Sequence, residues 1–495
     1  MSVIRDSDRL LLLNYFLKGS ANMDSQAKKL SLGTFIGMTM ALCATVRSIP
    51  SVAATGWTQI TYMVFAVVFF ALPVALISGE LGTMMQAEGG PQLWVKSALG
   101  EKWGFVTAWL LWVQMFPGMV MVASTIGPLW GNVFGNVPLG NNHWFILANI
   151  LGFYWLITVL NLRFDMAKVG GNIGVWLGVY IPIVIMLVMG IAALIKTGIN
   201  PAGYLGTFTW GKLMPSLDNL QSLQYFAAIS FVYTGMEMSS VFIPRLHDAK
   251  KTYTRGIFIA LVGLVLMNLL NAILVANVVP NGKIQLSNIT QPIVLWCQIL
   301  GWPTIIANIF SFMVVIGVLI QLSAWVTGPS KTMTQVARDG QLPASFGYHK
   351  VNKFGVSRNV VLTQSVCISL FALLYGVMKN VNGVFLTLTN ATTVIYALVY
   401  ILIAIAIIRL RQTQPELERP YRLGKTGNGL AYFVAFLLLF GIVVIIAATL
   451  FASDLTQAVF VVIITAILFV IPLIIDKNKN AEWIEQVNMD LALNK

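Results

Sequence analysis

From Ser31 to Gly79 the chain carries a single charged side chain, Arg47, and Pro50 follows it by three positions. Both sides of that point are apolar enough to cross a bilayer, which asks for roughly 20 such residues per helix. A guanidinium near mid-membrane costs several kcal/mol and is read as functional by default. Pro50 removes a backbone donor and disfavours a helical Ile49, so amides and carbonyls are left unpaired beside the charge. Unwound backbone at that depth is tolerated only where it is buried in protein or lines a watery cavity, and transporters place their substrate sites at such breaks. Thr45, Val46, Arg47, Ser48 and Ile49 are therefore candidate substrate-contacting residues.

The remainder of the chain extends this pattern. Its 495 residues are 57% hydrophobic and 10% charged, with a mean hydropathy of +0.80, as expected of an all-α polytopic membrane protein without a large aqueous domain. Charged residues delimit apolar stretches that predict twelve spans, at 31–56, 59–80, 105–130, 144–162, 170–195, 220–244, 256–278, 303–328, 359–378, 384–408, 430–452 and 456–475. The stretch 287–301 is too short and polar to be another span and predicts a helix on the outer face. The expected organisation is an N-terminal cytoplasmic segment over 1–30, one transporter domain over 31–475 and a cytoplasmic tail over 476–495. Leu10 to Leu13 is too short for a cleavable signal, so helix one would itself start insertion.

With the N-terminus inside, the outer loops hold only Lys196, Lys212, Lys283 and Lys379 of the 31 Lys and Arg residues. That asymmetry sets the expected orientation, with both termini cytoplasmic at the cell membrane. It also accounts for the net charge of +13 through basic loops facing an anionic leaflet, with no need of nucleic acid.

Other chemistries find little support. Cys43, Cys297 and Cys367 are scattered, which suits packing rather than a disulfide framework or a metal site. The histidines, His143, His247 and His349, all fall in predicted loops. Gly206 to Lys212 imitates a phosphate loop, but Leu213 stands where the magnesium-binding Ser or Thr belongs. No enzyme signature, metal site or cofactor is expected.

A second interruption falls in span six, at Tyr233-Thr234-Gly235-Met236-Glu237, where Gly235 weakens the helix and Glu237 brings a carboxylate to mid-membrane depth. Spans one and six are five apart, and an odd repeat inverts, so the breaks occupy matching places in two inverted five-helix repeats, spans 1–5 and 6–10, over about 31–195 and 220–408. Spans eleven and twelve lie outside. Tyr233, Thr234, Gly235 and Met236 join the candidate substrate site, and Glu237 is a candidate proton-coupling or gating group. Gln321 and Trp325 near the end of span eight, and Tyr396 and Tyr400 on one face of span ten, could face the same cavity. Trp325 and Tyr396 are read as pocket walls, Gln321 and Tyr400 as gating positions, with ordinary packing as the alternative for each aromatic. Gly33 and Gly37, and Gly170, Gly174 and Gly178, form small-residue faces suited to close helix packing.

At these segments the chain resembles the amino acid–polyamine–organocation superfamily, and within it the bacterial glutamate/γ-aminobutyrate antiporters. The resemblance rests on Ser323-Ala324-Trp325-Val326-Thr327-Gly328-Pro329-Ser330-Lys331, on Ala337-Arg338-Asp339-Gly340-Gln341-Leu342-Pro343, on the Gly235-x-Glu237 break and on Val394 to Tyr400. It implies two inverted repeats plus two helices, and secondary active exchange of an amino acid for a related product such as its decarboxylated amine. Proton-coupled uptake, with Glu237 carrying the proton, is the alternative; a channel or a nutrient sensor finds no pore-lining charged ring and no signalling domain.

The chain departs from that family at the site. The glutamate exchangers have Tyr-Glu-Tyr-Pro where this chain has Arg47-Ser48-Ile49-Pro50, a glutamate where it has Gln321, and a histidine-containing C-terminal plug longer than the residues after Asp476. Two carboxylates are lost and a guanidinium gained. Arg47 could bind a substrate carboxylate bidentately or form a structural pair with Glu237.

Overall fold

The computed structural model describes residues 30–43, 46–85, 90–164, 166, 176–215, 220–246 and 248–493. Thr45, Gly170, Gly174 and His247, and the segment preceding Leu30, lie outside the described residues. Among those described there is no β-strand, only isolated bridges such as Leu30 with Leu246. Among the described residues ten helices are long and apolar enough to cross a membrane, and with the two broken spans they make twelve.

Span one runs as a helix over Leu32–Cys43, a 3-10 turn over Val46–Ser48 and a second helix over Ile49–Ala53. Pro50 falls in the first turn of this second piece, where a missing N–H has no intrahelical partner to lose. The proline therefore starts the second half-helix, and Ile49 is helical despite preceding it. Span six has a 3-10 turn over Leu220–Tyr225, a helix over Phe226–Phe231 and a 3-10 stretch over Met236–Arg245. Gly235 joins the last two with φ of 93°, in the left-handed region that a side chain would strain.

The unbroken spans follow the predicted order. They are Gly56–Met84, Glu101–Val133, His143–Arg163, Trp176–Thr197, Lys251–Val278, Ile305–Arg338, Arg358–Val377, Val381–Thr413, Gly429–Ala452 and Leu455–Lys477. Spans eight and ten continue past the expected ends at 328 and 408, because an apolar stretch sets membrane depth but not where the backbone hydrogen-bond ladder stops. The short helix expected over 287–301 is present at Gln291–Leu300, and a further helix, Ala481–Leu493, follows span twelve.

Span three is almost entirely buried, and span ten largely so, whereas spans eleven and twelve present exposed apolar faces fit for lipid. Close packing explains Gly178: a Cβ there would come within 2.7 Å of the Gly317 Cα, so spans five and eight meet backbone to backbone. Gly37 meets the same span differently, accepting a 2.7 Å hydrogen bond at its carbonyl from the Tyr180 hydroxyl.

Candidate functional site

Both half-helices of span one pack on span seven, and the first of them also packs on the second half of span six. Arg47 sits in the 3-10 turn of span one and is 5% exposed. Its Nη1 donates to the Gln321 Oε1 of span eight at 2.7 Å, while Nε is buried without a partner. The neighbouring Ser48 hydroxyl points to Asn268 of span seven at 3.4 Å. Val46 and Ile49, on either side, are buried in the apolar core.

Glu237, two residues past Gly235 in span six, is completely buried. Its carboxylate accepts from Tyr396 at 2.5 Å and from Tyr400 at 2.7 Å. Those rings stack at 5.0 Å between centroids, one turn apart on span ten. The Tyr400 hydroxyl also accepts from the Gly235 N–H at 3.1 Å, so one side chain occupies both the broken backbone and the carboxylate beside it. Phe70 of span two packs edge-on against the Tyr400 ring at 4.8 Å.

The geometry gives the expected site residues the following partners. Tyr396, expected as a pocket wall, gives its hydroxyl to Glu237. The alternative of an Arg47–Glu237 structural pair is not seen: no ion pair joins them, and each charge has neutral side-chain partners instead. Met236 and Tyr233 are fully buried, and the Tyr233 hydroxyl has no partner. Thr234 returns its hydroxyl to the Phe231 carbonyl, which occupies it within its own turn. Trp325 lies one helical turn beyond Gln321, partly buried against the core. Gln321, expected to gate, is the side chain that holds Arg47.

Asn268 was not anticipated, although an asparagine within the apolar run Ile257 to Val278 is a signal of the same kind as Arg47. Three histidine, cysteine or carboxylate groups that could hold a metal do not gather anywhere among the described residues. The arrangement places a cation and a carboxylate, both buried, at the breaks of spans one and six.

The sequence profile described as Amino acid permease matches residues 30–472. A glutamate/gamma-aminobutyrate antiporter of Lactococcus lactis is 27% identical over 421 residues, 81% of this chain and 80% of that protein. A probable agmatine/putrescine antiporter of the same species is 24% identical over 421 residues, covering 83% and 86% of the two chains. The crystal structure of MhsT in complex with L-phenylalanine superposes with a TM-score of 0.56 at 13% identity, over 86% of this chain and all of that one, which shows a shared fold. Homology over nearly the whole membrane region, the paired breaks in spans one and six and the shared architecture lead to one conclusion: the chain belongs to the amino acid permease family of the amino acid–polyamine–organocation superfamily, and is a secondary active transporter rather than an enzyme.

Proposed function

We propose that this transporter exchanges carboxylate-bearing amino acids, Arg47 holding the substrate carboxylate and Glu237 receiving its ammonium group. The observation that carries this reading is that two buried, opposite charges, one at each break, bond to neutral side chains and not to each other. A zwitterion supplies the missing partner for both. An uncompensated buried charge is strongly unfavourable, whereas a guanidinium and a carboxylate form charge-assisted, often bidentate hydrogen bonds. Glu237 accepts from two hydroxyls at once, which suits the ionised carboxylate, an acceptor at both oxygens.

Backbone freed at the two breaks adds donors and acceptors for the same groups, and Trp325 offers an apolar wall near the Arg47 side. Arg47 and Glu237 are both buried in this conformation. We take the face rich in Lys and Arg, with the Ala481–Leu493 helix on it, as cytoplasmic. Antiport is favoured over proton-coupled uptake by the kinship with antiporters of amino acids and amines.

Counterflow in liposomes tests both parts. Vesicles preloaded with an unlabelled amino acid should take up the labelled compound far faster than empty vesicles. Equal uptake into empty vesicles, with dependence on an imposed proton gradient, would establish the proton-coupled alternative. Arg47→Ala should reach the membrane and lose uptake, since a hydrogen bond to a charged group contributes about 1.5–3 kcal/mol. Unchanged kinetics in that variant would remove Arg47 from the site. Loss of expression restored by Glu237→Gln would mean the two charges depend on each other structurally.

A further inference from the structure

Gln321 is the sole hydrogen-bond partner of Arg47 among the described residues, its Oε1 accepting from Nη1 at 2.7 Å. A guanidinium offers five N–H donors in a planar fork. Here one edge is engaged by an amide, and on the other edge Nε is buried with no partner. Gln321 is well placed to hold the group still: span eight is a continuous helix over Ile305–Arg338, and Ser323, two residues along and therefore turned away, locks the helix to Asn161 of span four at 2.9 Å. The partner at this position could be an amide or a carboxylate of almost the same shape. Either would orient Arg47, but only the amide leaves its charge unmatched.

We infer that Gln321 is the positioning residue that sets the charge class of the cargo: a neutral support for Arg47, it keeps the guanidinium available to a substrate carboxylate and so shuts out amines that lack one. The inference rests on the proposed role of Arg47 and goes beyond it by assigning selectivity to a residue that need not touch the substrate. Its electrostatics are simple. With Gln321, the pair Arg47–Gln321 carries one positive charge, which attracts a carboxylate and repels a di-cation at short range in a desolvated site. With glutamate at the same place the pair would be neutral and already joined, the fork would be occupied from one side, and Glu237 would remain as the unmatched charge of the site, favouring cationic amines.

The test uses the full-length protein in liposomes. The carboxylate probe is whichever of labelled glutamate, leucine or phenylalanine the parent exchanges fastest, and the amine probe is labelled agmatine. Gln321→Glu should lower kcat/KM for the carboxylate probe at least tenfold and raise the agmatine-to-carboxylate ratio at least tenfold. Gln321→Met removes the acceptor without adding charge; it should raise KM for the carboxylate probe and preserve the preference over agmatine. A purely packing role for Gln321 would lower both uptakes together and leave their ratio in place. An unaltered ratio in Gln321→Glu therefore overturns the inference. Should that variant not reach the membrane, an unchanged KM in Gln321→Met overturns it instead. Arg47→Ala in the same assay keeps the two readings apart: lost carboxylate uptake there, with an unaltered ratio in Gln321→Glu, defeats only the role of Gln321, whereas full uptake in Arg47→Ala defeats the anchor itself.

Discussion

Glu80 and Arg411, near the C-terminal ends of spans two and ten, are joined inside the protein by two hydrogen bonds, Nε to Oε1 at 2.6 Å and Nη2 to Oε2 at 2.5 Å. Glu80 is fully buried and Arg411 nearly so. Arg419 approaches the same carboxylate at 3.3 Å, and the Leu423 amide donates to it at 2.7 Å. Arg411 spends its other donors on the Leu423 and Gly427 carbonyls and on Asn428, so the connection from span ten to span eleven is folded back over the pair. Tyr421 of that connection lies against Gly79, where a Cβ would come within 2.9 Å of its ring.

Glu80→Gln should therefore destabilise the protein strongly, because removing one member of a buried pair strands the other charge, at a cost of about 3–5 kcal/mol. A lowered melting temperature in detergent is the expected readout. Glu80→Met with Arg411→Met should lose less than the two single changes added together, since neither charge is then left alone. Additive losses would mean that the pair is not coupled.

Gly235→Ala addresses the span-six break. The φ of 93° puts a side chain in a region costing about 1–2 kcal/mol, and relaxing it would withdraw the N–H that Tyr400 accepts. Transport should fall while the protein still reaches the membrane. Gly317→Ala should behave in the opposite way, with little folded protein made, because its Cβ would come within 2.0 Å of the Gly178 Cα. Comparing uptake per molecule in the membrane for the two variants checks the contrast.

Much of this architecture is legible in the sequence because a bilayer imposes a length on every span and a penalty on every exception. Arg47, Pro50, Gly235 and Glu237 stand out against apolar neighbours, and the five-span offset between them gives the repeat. What cannot be read there is pairing. Arg47 could equally have met Glu237 or Gln321, since choosing requires knowing how spans one, six and eight turn about their axes. The Glu80–Arg411 cluster was missed for a related reason: both residues fall at span ends, where charged residues ordinarily face water, and only folding back of the 414–428 connection buries them. The end of span eight was likewise hidden, as Pro329 reads as a stop yet lies within the helix.

Tyr396→Phe and Tyr400→Phe each remove one hydroxyl from Glu237 and should weaken transport by about tenfold or more, from the roughly 1.5–3 kcal/mol of a hydrogen bond to a charged group. Tyr400→Phe is expected to be the more damaging, since that hydroxyl also accepts from the Gly235 amide. Initial rates of exchange in liposomes, normalised to protein content, give the order. Wild-type rates in both variants would reduce the two tyrosines to packing.

The last prediction concerns the Ala481–Leu493 helix, which packs its Ile484 against Gly340 and buries Val487. Asp490 on this helix meets the Lys350 Nζ at 2.9 Å and the His349 Nε2 at 2.9 Å, and Arg338 holds the His349 carbonyl from span eight. Lys350 first, and His349 with it, keep the Asp490 carboxyl below the usual carboxylate range. A group whose folded value is depressed contributes stability above its unfolded value and loses it as pH falls through the folded one. Asp490 should therefore hold the helix at neutral and mildly acidic pH and release its contacts only below about pH 4, the ordinary aspartate range. Hydrogen exchange over residues 481–493 should show steady protection from pH 8 to pH 5, and Asp490→Asn should reduce that protection across the whole interval. Release of the helix between pH 6 and pH 5 in the parent protein would show that Asp490 does not control its docking.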